Sequence, residues 1–99
     1  MAVKVIVPTP LQRLTQGKEE IDVLPGSVID LVWYLDSVYP GIAARISSEG
    51  KIRRFVNIYV NDKDIRSLDA EATMTSDGDE VSIVPAIAGG VYFMNIVII

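Results

Sequence analysis

Hydrophobic and polar residues alternate along four stretches of the chain, which predicts four main strands. The stretches cover residues 2–7, 18–24, 55–60 and 80–85. In the first, Val3, Val5 and Val7 fall on one side, and these three are expected in the core because successive side chains of a strand point to opposite faces. Pro8 ends this strand, and a polar turn over residues 11–17 predicts an antiparallel hairpin with the second strand.

A helix is predicted after the second strand. The sequence P-G-S-V-I-D at residues 25–30 supplies Ser27 as the N-cap and places Asp30 near the positive end of the helix. Apolar residues then recur at helical spacing as one stripe, which consists of Val28, Leu31, Val32, Leu35 and Val38. A P-G pair ends the helix near residue 40. Trp33 lies off the stripe, and we favour partial burial at the helix edge over a role as a partner anchor.

The remaining segments are predicted as connections. Residues 42–54 form a long polar connection, residues 67–76 a loop and D-G-D at residues 77–79 a turn, whereas Ile65 falls on a short strand. The order β-β-α-β-β-β indicates an α+β roll, a mixed β-sheet with one main helix packed on one face. A right-handed crossover from the second strand through the helix makes a later strand parallel to an earlier one. The two ends of the chain are then expected to be neighbouring central strands.

Charge narrows the choice of partners. The 99 residues suit a single domain, and the net charge of −4 gives a nucleic-acid partner no general electrostatic support. Residues 61–90 carry seven acids against two basic residues, a net charge of −5, which leaves +1 for the remainder. We interpret this acidic flank as solvated loop charge, with steering of a basic partner as the alternative. The basic K-I-R-R at residues 51–54 is interpreted in the same way, with protein docking as its alternative.

Missing residue types exclude several chemistries. With no cysteine and no histidine, the chain has no disulfide, Cys–His nucleophile, imidazole acid–base catalyst or usual zinc site. Asp77, Asp79 and Glu80 lack the spacing of a calcium loop, so no metal site is predicted. The N-terminal segment lacks a signal-peptide pattern, and the apolar C-terminal segment is far shorter than the ~20 residues of a membrane-spanning helix. We expect a cytoplasmic protein without nucleic-acid or membrane partners.

Two adjacent glycines, Gly89 and Gly90, follow the last predicted strand in V-P-A-I-A-G-G. In most sequences such a pair is a flexible turn. Here the preceding side chains are small, and glycine has no Cβ, so the segment is also suited to lie extended in a narrow channel of another protein. A chain that ended at Gly90 would carry a terminal carboxylate as a chemical handle and would need no catalytic side chain.

Two longer segments resemble a known family. R-F-V-N-I-Y-V-N-D-K-D-I-R at residues 54–66 and D-G-D-E-V-S-I-V-P-A-I-A-G-G at residues 77–90, with the β-β-α-β order, resemble the ubiquitin-like β-grasp sulfur carriers. The resemblance is strongest to the carriers of cysteine biosynthesis and extends to the small subunit of molybdopterin synthase and to the thiamine-biosynthesis carrier. It implies a β-grasp sulfur-carrier domain over residues 1–90, followed by a hydrophobic extension over residues 91–99.

The resemblance implies a carrier protein, not an enzyme. In this family an ATP-dependent, ubiquitin-activating-like enzyme adenylates the terminal glycine carboxylate, which corresponds to Gly90, and sulfur then displaces AMP to leave a thiocarboxylate. For cysteine biosynthesis the implied partners are a pyridoxal-phosphate cysteine synthase and a processing zinc metalloprotease. ATP, pyridoxal phosphate and zinc would belong to the partner enzymes, and this chain would bind no cofactor itself.

The resemblance also implies a partner-binding segment near the glycines. Its residues are Gly89, Ala88, Ile87, Pro85 and Phe55. Gly89 and Ala88 would keep this arm narrow and extended. An apolar docking face is expected near Phe55, Ile58 and Pro85, with a core position as the favoured alternative for Ile58.

Residues 91–99 depart from the family pattern, because a peptide carbonyl at Gly90 offers no free carboxylate. We expect a precursor that is cleaved after Gly90, and the alternatives are a translated or cloned extension or an additional strand. The alternatives to a cysteine-biosynthesis carrier are a molybdopterin synthase small subunit, a ubiquitin-like modifier that forms isopeptide bonds through Gly90, and a non-reactive interaction module.

Overall fold

The chain folds into one main sheet with helices packed on it. The structure is a computed structural model that describes residues 2–85 and, beyond them, only the backbone of two short strands. In chain order the strands are β1 (Val3–Ile6), β2 (Glu20–Val23), β3 (Ser47–Ser48), β4 (Lys51–Ile52), β5 (Val56–Val60), β6 (Lys63–Asp64), β7 (Glu80–Pro85), β8 (Ile87–Ala88) and β9 (Val91–Tyr92). The helices are α1 (Val28–Val38) and α2 (Ile42–Ile46), and 3-10 turns cover Thr9–Leu14, Ile65–Ser67 and Ala70–Ala72.

The main sheet has the strand order β2-β1-β7-β5-β6. Strand β1 pairs antiparallel with β2 and parallel with β7, where Val5 lies opposite Val81. On its other side β7 pairs antiparallel with β5, where Ile58 lies opposite Ile83. The predicted hairpin, the mixed sheet and the parallel pairing of the first and last core strands are therefore confirmed. Strand β7 lies at the centre of the sheet and has a partner along each edge.

Helix α1 begins as the sequence predicts. The Ser27 hydroxyl accepts a hydrogen bond from the Asp30 backbone N–H at 3.2 Å. The first four residues of the apolar stripe are buried, whereas the fifth, Val38, is 49% exposed. Tyr39 is buried instead. It caps the end of the helix, and its backbone is no longer helical (φ −126°, ψ 81°). Trp33, for which partial burial at the helix edge was favoured, is 53% exposed.

The segment predicted as a polar connection, residues 42–54, contains part of the core. Its first residues form α2, whose Ile42, Ala43 and Ile46 are all buried. These positions are spaced i, i+1 and i+4, which places them on one face of even a short helix. Gly41, at φ +100°, permits the sharp turn between the two helices. Strands β3 and β4 then form a small antiparallel hairpin.

Two shorter predictions are also corrected. The segment predicted as a polar turn includes much of the 3-10 turn Thr9–Leu14, in which Leu11 is buried in the core. Ile65 was expected on a short strand, but β6 ends at Asp64, and Ile65 is the buried first residue of a 3-10 turn. Strand β8 pairs antiparallel with β9 through Ile87–Tyr92 and Ala88–Val91. Within the described ranges, no helix is long and apolar enough to cross a bilayer.

Candidate functional site

The D-G-D turn at residues 77–79 fastens the start of β7 to both neighbouring strands. On the β1 side, the Gly78 N–H donates to the Ala2 carbonyl at 2.9 Å, and the Ala2 N–H donates to the Asp77 carboxylate at 2.8 Å. On the β5 side, the Asn61 amide donates to Asp79 Oδ1 at 2.8 Å. Gly78 has φ +90°, a left-handed conformation that favours glycine.

Asp79 also holds the turn itself. Its second oxygen, Oδ2, accepts a hydrogen bond from the Ser76 N–H at 2.8 Å. The hydrogen bonds from the Asn61 amide and the Ser76 N–H lower the pKa of the Asp79 carboxyl, because they stabilise its charged form. No group of acids in the described part of the chain is arranged to hold a metal ion. The acidic turn is therefore a structural device of the sheet.

The other end of β7 carries the glycine arm. Val81 and Ile83 point into the core, whereas Ser82 and Val84 point to the opposite side, where Val84 is 40% exposed. Pro85, the last residue of β7, lies opposite Val56 at the start of β5. Residues 86–90, which we call the glycine arm, follow directly in the sequence. The arm therefore begins at the end of the central strand of the sheet.

The side of the sheet opposite the core near this exit, which we name the open face, mixes apolar and polar side chains. Its residues are Ile6, Asn57, Tyr59, Ser82 and Val84. Arg66 reaches onto this face and donates to the Asn57 side-chain oxygen. The guanidinium group also pairs with Asp64 at 3.0 Å. This pairing lowers the pKa of Asp64 and raises that of Arg66, in each case chiefly through their side-chain hydrogen bond.

The predicted partner-binding residues divide into four groups. Phe55 and Pro85 are half-buried beside the exit of the arm, close together because Val56 pairs with Pro85. Ile58 does not belong to a docking face, since it is 1% exposed and packs in the core, as its alternative interpretation held. Only the backbone of Ile87 and Ala88 is described, in β8. Gly89 and Gly90 lie outside the described residues, so their assigned roles stay predictions.

Sequence reasoning missed most of the open face. Alternation along β5 and β7 contained the signal, because residues that flank inward-pointing positions of a strand point outward. Applied to β7, it marks Ser82 and Val84, and applied to β5 it marks Asn57 and Tyr59. The contact between Arg66 and Asn57 has no such signal. It depends on how the turn after β6 folds back beside β5.

These features define a ubiquitin-like β-grasp protein. They are a mixed sheet whose first and last core strands are parallel, one main helix packed across it, and a glycine arm after the last core strand. The ThiS family model matches residues 5–90. The Mycobacterium tuberculosis sulfur carrier protein CysO is 43% identical over 93 residues, which cover 91% of this chain and 100% of CysO. This chain belongs to the ThiS family of sulfur carriers.

Two further proteins are similar to this chain. A chain in the crystal structure of the Amycolatopsis orientalis BexX/CysO complex superposes with a TM-score of 0.85 and 38% identity, over 90% of this chain and 100% of that one. Small archaeal modifier protein 3 of Haloferax volcanii is 38% identical over 64 residues, covering 65% of this chain and 70% of the modifier. Relatives of this fold thus include both sulfur carriers and a protein named as a modifier.

Proposed function

We propose that this protein carries sulfur as a thiocarboxylate on Gly90 and donates it for cysteine biosynthesis. The observation that carries the proposal is that the family match ends at Gly90, five residues beyond the last core strand. The match to CysO along that protein's entire length supports the choice of cysteine as the product. The exit of the arm from the sheet centre supports a terminus that works inside another protein.

The chemistry needs only a carboxylate from this chain. A carboxylate oxygen of Gly90 attacks the α-phosphorus of ATP on an adenylating enzyme, and pyrophosphate leaves. Hydrosulfide delivered by the sulfur donor then attacks the acyl carbon of the adenylate, AMP leaves with the electrons of the broken C–O bond, and loss of the S–H proton leaves the thiocarboxylate. The acyl adenylate is required because a free carboxylate is a poor electrophile. The thiocarboxylate that results is a tethered nucleophile, so free sulfide need not diffuse.

The acceptor and the release step belong to partner enzymes. The thiocarboxylate sulfur adds to the β-carbon of an aminoacrylate that a pyridoxal-phosphate enzyme presents, which links the carrier to cysteine. A zinc metalloprotease then hydrolyses the bond between Gly90 and the amino acid. The carrier is recovered with its carboxylate free, and every cofactor remains on a partner.

The same proposal makes the present chain a precursor. Residues 91–99 follow Gly90, and its carbonyl is then part of a peptide bond. The pairing of β8 with β9 supports cleavage as an activating step, because the backbone of Ile87 and Ala88 is engaged with Tyr92 and Val91. An arm that must enter a narrow channel has to exchange this pairing for contacts with the partner. Cleavage after Gly90 removes the competing strand.

A comparison of chains 1–99 and 1–90 tests the proposal. Each is incubated with the adenylating enzyme, ATP and a sulfur donor, and its intact mass is measured. We expect only chain 1–90 to gain the mass of one oxygen-to-sulfur exchange, and chain 1–90 with Gly90→Ala to load poorly. If chain 1–90 never gains sulfur, the carrier proposal is wrong. If native cells accumulate a form that ends at Ile99 and contain no thiocarboxylate, the precursor proposal is wrong.

A second function, protein modification, is favoured by one observation, the match to small archaeal modifier protein 3. It uses the same activated Gly90 but transfers the acyl group to a lysine amine. Conjugates of higher mass, trapped in cells and lost when Gly90 is deleted, would support it.

A further inference from the structure

Charges of opposite sign lie at the two ends of β7. Asp77, Asp79 and Glu80 lie at its start, and Asp62 joins them because the Asn61 N–H donates to the Glu80 carbonyl at 2.8 Å. At its other end, the pairing of Val56 with Pro85 places the basic K-I-R-R segment beside the exit of the arm. The acidic residues therefore lie away from the arm, and a basic cluster lies next to it.

Arg53 and Arg54 are positioned by the fold but are not neutralised by it. The Arg53 N–H donates to the Ile46 carbonyl and its Nε donates to the Ala44 carbonyl, each at 2.9 Å. The Arg54 guanidinium carbon lies 5.2 Å from the centre of the Phe55 ring. Neither arginine forms an ion pair with a carboxylate in residues 2–85. Two fixed positive charges are thus available to a partner, in a protein whose net charge is −4.

A cavity of about 310 Å³ lies between this cluster and the edge of β5. Among the described residues, β6 pairs with β5 on this edge through Tyr59 and Val60, and the cavity lies beside the earlier part of β5. Its apolar lining includes Ile52, Val56 and Ile65, and its charged rim includes Arg53, Arg54, Arg66 and Glu71. An ion pair formed against apolar walls is stronger than one in open water, because the local dielectric is lower.

Glu71 and Asp64 offset part of the positive charge at this cavity. The Glu71 carboxylate accepts a hydrogen bond from the Ile52 N–H at 2.8 Å, and this bond lowers its pKa and keeps it charged. Arg66 is paired with Asp64. Because Arg53 and Arg54 together outweigh Glu71, the balance that an incoming group meets at this side of the arm stays positive.

We propose that Arg53 and Arg54, with the adjoining cavity, dock an acidic segment of the enzyme that adenylates Gly90. This inference rests on the proposed function and adds a second contact to the one made by the arm. A partner that carries carboxylates there is attracted at the arm end of β7 and repelled at the acidic end. The arm is thus presented in one orientation. Charges of this kind act mainly on the rate of association and on its salt dependence.

Charge reversal at matched positions tests the proposal on chain 1–90. Arg54→Glu is compared with Lys63→Glu, since both residues are exposed and Lys63 lies at the opposite end of β5, next to the acidic turn. The steady-state rate of thiocarboxylate formation is measured against carrier concentration at about 50 mM and 300 mM salt, which straddle the range over which surface charges become screened.

We expect Arg54→Glu to raise KM for the carrier about tenfold at low salt with kcat unchanged, whereas Lys63→Glu stays within about twofold. The difference should shrink at high salt, and Arg54→Gln should give a smaller rise. Thermal unfolding checks that each variant is folded. Equal KM values for Arg54→Glu and Lys63→Glu, with normal loading of the wild type, overturn this inference alone. A wild-type chain that does not load overturns the proposed function and this inference with it.

Discussion

The two ends of β7 are built in opposite ways. At the start, the D-G-D turn holds its place through hydrogen bonds to Ala2, Ser76 and the Asn61 side chain, all within residues 2–85. At the end, the last core pairing is Pro85 with Val56, and the chain continues into the arm. The six residues of β7 thus connect two different regions. The turn before β7 is held by hydrogen bonds within the domain, whereas the arm after β7 is proposed to contact other proteins.

This contrast separates stability from chemistry. The turn and the core residues of β7, Val81 and Ile83, contribute to the free energy of folding. In the proposed function, the arm supplies the Gly90 carboxylate and the length that brings it to the partner's active site. A change at the turn should therefore alter the stability of the protein and leave its reactivity intact, whereas a change in the arm should do the reverse.

Removal of Gly89 and Gly90 should produce the largest effect. A chain that ends at Ala88 still has a free carboxylate, but its reach is shorter by about 7 Å, at about 3.3 Å per extended residue. A displacement of even 1 Å from the reactive position costs about 100-fold in rate, so we expect sulfur loading to fall by at least about that factor. Intact mass after incubation with the adenylating enzyme and ATP measures the loss.

The same truncation should leave the fold unchanged. We expect its free energy of unfolding to match that of chain 1–90 within about 0.5 kcal/mol, as is usual for surface changes. Urea denaturation followed by circular dichroism provides the comparison. A truncated chain that is markedly less stable would show that the glycines belong to the fold, and the separation of the two ends of β7 would be lost.

How much of this could be predicted from the sequence differs between the two ends. Strand β7 was predicted with its observed bounds, because two inward valine and isoleucine positions alternate with outward ones between an unmistakable turn and a proline. The parallel neighbour β1 followed from the handedness of the crossover. The hydrogen bonds of Asp77 to Ala2 and of Asp79 to Asn61 span 75 and 18 residues, and no local pattern encodes such contacts.

The errors concentrate in short elements. Helix α2 has five residues, too few for a periodic pattern to separate it from a connection, and Leu11 is a single apolar residue in a polar turn. Both are buried because the tertiary fold brings them to the core. The basic cluster beside the arm was visible as K-I-R-R, but its position next to Pro85 depends on the register of β5 with β7. The fold class and the arm were therefore accessible from sequence, and the surroundings of the arm were not.

Gly78→Ala should give the next largest effect, on stability alone. A Cβ at this position would meet no atom within 4 Å, so the cost comes only from the backbone at φ +90°. Placing a residue with a side chain in the left-handed region costs about 1–2 kcal/mol. Sulfur loading of the folded chain should be unchanged.

Gly26→Ala is the matched control for this substitution. Its added Cβ would lie in ordinary contact, 3.7 Å from the Asp30 Cβ, and its backbone is not left-handed. We expect the free energy of unfolding to stay level or to rise slightly, since alanine restricts the unfolded chain. Equal losses at Gly78 and Gly26 would argue that the turn has no special role.

Asp79→Asn should have the smallest effect on the free energy of unfolding, and this effect should depend on pH. The carboxylate accepts from two donors, and an asparagine can accept from only one while its amide NH₂ faces the other, so the loss at pH 7 is about 1 kcal/mol. The pKa of Asp79 is lower in the folded state than its ordinary value. Its contribution to stability is therefore complete above the ordinary aspartate pKa of about 3.9, and it disappears as the pH falls through the folded value.

The free energies of unfolding of wild type and Asp79→Asn should thus differ at pH 7 and converge at lower pH, below the folded pKa of Asp79. Asp22→Asn is the control, because the Asp22 side chain accepts no hydrogen bond within residues 2–85. That variant should follow the wild-type curve throughout. A gap between wild type and Asp79→Asn that is the same at pH 7 and at pH values below the folded pKa would show that the charge of Asp79 is not what holds the start of β7. The start of β7 would then be held by Gly78 and by the backbone hydrogen bonds to Ala2.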